Sequence, residues 1–106
     1  MSALSKAAIL AADDLKREVV EVPEWGGAVN IGMLTATQRE ALFDAVFGKS
    51  DAEKGRLFRR ALLTFALVDD AGKPLFDASD IDALLAKSAL VVDRLSAAAM
   101  KLNGLG

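Results

Sequence analysis

The chain has no cysteine, no histidine and no tyrosine, and each absence closes a class of chemistry. Without cysteine there is no disulfide framework, no thiol nucleophile and no thiolate-held zinc or iron–sulfur site. Without histidine the commonest general base and metal ligand is missing. Ser-His-Asp, Cys-His and His-metal constellations are therefore closed to the chain acting alone. Neither sign of charge dominates: 13 basic residues stand against 15 acidic ones, a net of −2, whereas a general nucleic-acid binder is strongly basic. Long hydrophobic runs are lacking too. The apolar stretch 61–68 is broken by Thr64 and falls far short of the ~20 residues a membrane-spanning helix needs. Residues 1–12 are modestly apolar, no positive cluster leads them, and Asp13-Asp14 follows at once. They read as mature sequence rather than a signal peptide, which makes the cytoplasm the expected compartment.

What the chain has in abundance is apolar surface. Hydrophobic residues make up 53% of its 106 positions. With the 8 glycines the share is about 60%, against roughly 45–50% for an average globular chain. Residues 1–106 form one domain by length, long enough to bury roughly 60–70% of the unfolded surface. The composition excludes disorder and leaves apolar surface over for a partner.

Periodicity divides the chain into a hairpin and helices. Ser5 caps a short helical stretch over 5–12, closed by Asp13-Asp14. From Lys16 the period becomes two: Val20 and Val22 share one face, and Arg17, Val19 and Glu21 the other. Pro23-Glu24-Trp25-Gly26-Gly27 is turn chemistry, and Val29, Ile31 and Met33 then line one face of a returning strand. This hairpin, about 16–33, is marginal alone and must dock or gain a third strand. Thr35-Ala36-Thr37-Gln38 is a capping box. The helix it opens carries Ala41, Leu42, Ala45 and Val46, flanked by Phe43 and Phe47, and ends at Gly48. A second helix, capped by Ser50 or Asp51, is expected to run to about Val68, with Leu63 and Leu67 broadening its apolar stripe. After a turn at 69–74, Asp77 or Ser79 caps a helix through Ile81, Leu84 and Leu85. Its period continues through Val91, Val92, Leu95, Ala98 and Leu102, with a break marked at Ser88. The expected class is α+β: an N-terminal β-hairpin docked on a bundle of three to four α-helices.

Few constellations suggest chemistry. Five aspartates (69, 70, 77, 80, 82) surround Gly72, but with Gly72 at the sixth position of a calcium loop only Asp69 falls on a ligand position. A turn plus acids at a helix start accounts for them better. Lys49, Lys54, Arg56, Arg59 and Arg60 form a local basic cluster diluted by Asp51 and Glu53; it is either a solvated helix face or a contact for an acidic or nucleic-acid partner. Trp25 either folds back over the hairpin or anchors a partner. Asp13/Asp14 and Asp80/Asp82 have nothing in sequence to perturb them. No catalytic, cofactor or metal site is expected, and the chain does not read as an enzyme.

The run Ile9-Leu10-Ala11-Ala12-Asp13-Asp14-Leu15-Lys16, followed by Val20-Glu21-Val22-Pro23-Glu24-Trp25-Gly26-Gly27, resembles the tail assembly chaperones of long-tailed bacteriophages and prophages. Further similar text lies at 29–39, at 69–76, at 81–84, at Lys87-Ser88 and at 102–105. The likeness covers nearly the whole chain, and Val-Pro-Glu-Trp-Gly-Gly is its most specific part. It implies a non-enzymatic protein of the host cytoplasm, absent from the mature virion. Such a protein binds the long helical tape-measure protein, keeps it soluble and yields to tail-tube subunits; many of the family also make a frameshifted longer product. The apolar surplus is compatible with this role. Partner contacts are then expected from Trp25, Leu63, Leu67, Arg59, Arg60 and Met100, toward the client or another copy of the chain, although Leu63, Leu67 and Met100 equally suit a core. Two other classes remain open. A structural virion or head–tail connector component would act as an oligomeric scaffold, and a transcription regulator would use the basic helix 52–62, against the acidic net charge.

Overall fold

The computed structural model describes residues 2–105. Helix α1 (Lys6–Ala11) precedes strands β1 (Arg17–Val22) and β2 (Gly27–Gly32), helices α2 (Ala36–Val46) and α3 (Asp51–Ala66), strand β3 (Leu67–Val68), and helices α4 (Ile81–Leu85) and α5 (Ala89–Leu102). The class is α+β, as the hairpin and helical periods imply. The sheet is antiparallel in the order β1-β2-β3.

The hairpin forms where the period of two predicts it, with Val20 opposite Val29 and Glu18 opposite Ile31. A four-residue loop joins the strands: Pro23–Trp25 make one 3-10 turn and Gly26 takes the left-handed conformation at φ 76°. The alternation holds in the burial, since Val22 and Ile31 are enclosed while Val19 is exposed.

The helix expected to reach Val68 stops at Ala66. Leu67 and Val68 pair instead with Ile31 and Asn30, supplying the third strand that the hairpin needs. A short apolar run is buried equally well by helix or strand, so periodicity does not separate the two. The turn that follows decides it. Asp69 accepts hydrogen bonds from the amides of Ala71 (2.8 Å) and Lys73 (3.0 Å), and the Leu75 amide donates back to the Leu67 carbonyl at 2.9 Å. Arg17 donates to the Asp70 carbonyl, and Asn30 donates to the Asp70 carboxylate at 2.9 Å, fastening this turn to the sheet. Gly32 is needed for the close approach: a Cβ there would lie 3.2 Å from both Val68 methyl carbons.

Helix ends follow the caps. The Thr35 hydroxyl accepts from the Gln38 amide at 3.1 Å, and the Gln38 side chain accepts from the Thr35 amide at 3.0 Å. Ser50 is the N-cap of α3, and Ser88 begins α5 after the expected break. Helix α4 is entered through Asp80, which makes no side-chain cap bond of its own. The capping bonds lie one turn earlier, where the Asp77 carboxylate accepts from the amides of Ser79 and Asp80 and the Asp80 carboxylate accepts from the Asp77 amide, as expected of Asp77. The core gathers Val22 and Ile31 of the sheet, Leu42 of α2, Leu62, Leu63 and Ala66 of α3, Ile81 and Leu84 of α4, and Val91, Val92, Leu95 and Ala99 of α5. Helix α1 buries nothing. This exposed arm accompanies a radius of gyration of 15.3 Å, above the ~13 Å of a compact chain of this length.

Candidate functional site

Two apolar depressions lie on the helical side, and four of the six side chains expected at a partner surface line them or their margins. The first is built on the hairpin tip. Glu24 and Arg94 form a bidentate ion pair at 2.9 and 2.6 Å, tying the loop to α5. This places Trp25, 39% exposed, beside Phe76, Ala83, Leu84 and Lys87 around a hollow of about 470 Å³. Trp25 is thus fixed by the fold and still presents part of its ring.

The ion pair has a pH signature. Hydrogen bonding to Arg94 lowers the Glu24 pKa from an ordinary 4.5 to about 2, and the Arg94 pKa is raised by the same contact. Because the folded value of Glu24 is depressed, its contribution is complete above pH 4.5 and is lost as pH falls from there toward 2. Urea midpoints of the wild type and Arg94→Ala are therefore expected to differ at pH 6 and to converge between about pH 4.5 and pH 2.

The second depression, of about 460 Å³, runs between α3 and α5. Gly55, Phe58, Arg59 and Leu62 line it from α3, and Asp93, Ser96, Ala97 and Met100 from α5. It shares Gly55 and Arg59 with one flanking hollow, which reaches Arg56, Arg60, Leu85 and Ala89, and Ala97 and Met100 with another, which reaches Lys101 and Gly104. Leu62 is a buried floor, while Phe58 and Met100 are half-buried. The Phe58 ring also meets Phe43 of α2, whose face carries the Arg39 guanidinium 5.8 Å from its centroid.

The basic cluster is partly neutralised. Arg59 pairs with Asp93 at 2.6 Å and Arg60 with Asp82 at 2.7 Å. Both pairs are partly exposed, so they orient side chains more than they stabilise. Arg56 and Lys101 make no ion pair among the described residues. The five aspartates do not converge either. Asp69 serves its own turn, and the Lys73 and Ala71 amides hold its carboxyl below the ordinary range. Asp77 is held low by Ser79, Asp70 meets Asn30, and Asp82 meets Arg60.

Leu63 and Leu67 require correction as surface residues. Their exposures are 0% and 1%, and both belong to the core. The breadth of the α3 stripe arises because α3 is covered by α2 on one side and by α5 and the sheet on the others. The apolar surplus instead lies elsewhere, at Phe47 (85% exposed), Leu90, Leu10 and Leu4.

Phe58 and Gly55 were not singled out from sequence as partner contacts. Gly55 had a readable signal. A glycine inside a helix costs roughly 0.5–1 kcal/mol relative to alanine, and α3 carries one in its second turn. A Cβ at Gly55 would meet nothing within 4 Å, so packing within the chain does not demand it.

The fold is similar to that of the bacteriophage HK97 tail assembly chaperone, with a TM-score of 0.60 at 23% identity over 83% of this chain and 85% of that one. No family model and no curated protein matches the chain. Among the described residues no helix is long and apolar enough to cross a membrane.

Proposed function

We propose that this chain is a phage tail assembly chaperone: a non-enzymatic holdase that binds and solubilises the helical tape-measure protein and helps recruit tail-tube subunits. The observation that carries the proposal is the fold likeness to a tail assembly chaperone over more than four-fifths of both chains. The Trp25 loop and the apolar hollows beside α3, α4 and α5 support it, since a holdase needs apolar surface outside a completed core. Each Leu-sized contact buried on a client contributes ~1.5–3 kcal/mol, so a handful of them reaches micromolar affinity. In this reading the protein acts in the host cytoplasm, associates with its own copies, needs no cofactor, nucleic acid or membrane, and is left out of the finished particle.

The test is co-expression with the tape-measure chain encoded in the same genome. That chain is expected in the soluble fraction only when this protein is present, and the two are expected to co-purify. A client equally insoluble with and without it refutes the proposal. Mass spectrometry of purified particles tests the scaffold alternative: finding this chain in mature virions in stoichiometric amount favours a structural component.

A further inference from the structure

We infer that the α3–α5 groove seats a single apolar helix of the client, one whose apolar face is flanked by acidic residues. This rests on the chaperone reading and adds the surface and the chemistry of the segment it takes.

Three observations converge on the groove. Gly55 is the first. It weakens α3 where alanine would fit freely, because a Cβ there has nothing to touch within 4 Å. A helical glycine without an intramolecular reason is explained by a second backbone approaching it from outside. The second is shape. Phe58, Leu62 and Met100 give the groove an apolar floor, and the 14 residues of α5 extend about 21 Å, enough for four turns of a guest helix lying alongside. The third is charge. Arg59 pairs with Asp93 at the wall through one N–H, its buried Nε left without a partner, whereas Arg56 toward one end and Lys101 toward the other have no anionic partner among the described residues. Two free cations bordering an apolar floor complement a helix with carboxylates on its flanks.

The chain's own exposed apolar helix is a poorer occupant. Helix α1 has six residues, about 9 Å of rise, and fills less than half of the groove. The hollow beside Trp25 is poorer as a seat for a helix, because it is walled by only five residues with Lys87 as its one cation.

The experiment uses the full chain and two fluorescent helical probe peptides of twenty residues, identical in their Leu/Ala face and flanked by Glu in one and by Lys in the other. Fluorescence anisotropy is expected to show the Glu-flanked probe binding at least roughly tenfold more tightly. Gly55→Leu is expected to reduce that binding at least roughly tenfold with an unchanged circular dichroism spectrum. Gly55→Ala is expected to raise Tm by about 4 °C while weakening binding. The double variant Arg56→Glu, Lys101→Glu is expected to reverse the preference between the probes. Undiminished binding by Gly55→Leu, or preference of the wild type for the Lys-flanked probe, overturns the inference. In co-expression, a wild type that fails to solubilise the tape-measure chain sinks the chaperone reading. A Gly55→Leu variant that solubilises as well as a working wild type sinks the groove alone. If Gly55→Leu lowers the sedimenting mass of the free protein without affecting the client, a second copy occupies the groove and the inference fails.

Discussion

Leu63→Asp is expected to abolish folding. The side chain is fully enclosed in the middle of the core, with Leu62 and Ala66 of the same helix buried beside it. A carboxylate there has no partner, and an unpaired buried charge drives its own pKa upward or expels the helix. The loss of the leucine alone costs about 2–5 kcal/mol. The desolvated carboxyl adds several more, so the sum rivals the ~5–15 kcal/mol that holds a typical domain together. Far-UV circular dichroism at pH 7 is expected to show a largely unfolded chain, with partial recovery on acidification as the carboxyl is neutralised. Leu67→Asp should behave alike, because it also removes a buried side chain from the third strand. Any loss of binding measured in either variant would therefore report on folding. Met100→Asp is the informative surface substitution: Met100 is half-buried at the groove, and the variant is expected to keep its cooperative melt. A native-like melt of Leu63→Asp at pH 7 would place Leu63 outside the core.

Asn103→Ala carries the next largest effect. The Asn103 Oδ1 accepts the Leu34 amide at 2.8 Å, while its Nδ2 donates to the Ala99 carbonyl at 2.9 Å and the Gly32 carbonyl at 3.3 Å. One amide side chain thus joins the end of α5 to the exit of β2 and the approach to α2. Its backbone carbonyl also accepts from Arg39 of α2 at 3.3 Å. The three side-chain contacts are partly buried, so truncation strands the Leu34 amide without replacing it by water at full value. The expected loss is about 2–3 kcal/mol, read as a Tm lowered by roughly 10 °C or more. Asn103→Asp distinguishes the donors from the acceptor. It retains the acceptor for Leu34 but turns an anion toward two carbonyl oxygens, and is expected to be no more stable than the alanine variant. A Tm within about 2 °C of wild type for Asn103→Ala would mean that the three bonds carry no net stability.

The ends of the elements were largely legible. Ser5, the Thr35–Gln38 box, Gly26 after the Trp25 turn and the break at Ser88 each act through bonds to atoms within a few residues, so the chain states them directly. Two partner-site expectations, Leu63 and Leu67, were misplaced for a related reason. A wide apolar stripe shows that a helix is covered on several sides, but not whether this chain or another covers it. Arg59 and Arg60 were legible as charges but not as the partners of Asp93 and Asp82, which lie 34 and 22 positions away.

Amino-acid order alone therefore determined the α+β class, the hairpin with its glycine turn, the helix starts, and the lack of cysteine and histidine chemistry, because all of these are local or compositional. Tertiary structure alone decided that Leu67 and Val68 leave the helix to become a strand. It also decided that Glu24 locks onto Arg94 across 70 positions, and that the groove between α3 and α5 stays open while the face bearing Leu63 closes. Those outcomes depend on which distant surfaces meet, and the free energy of burying a side chain is the same for every surface of similar shape until the fold chooses one.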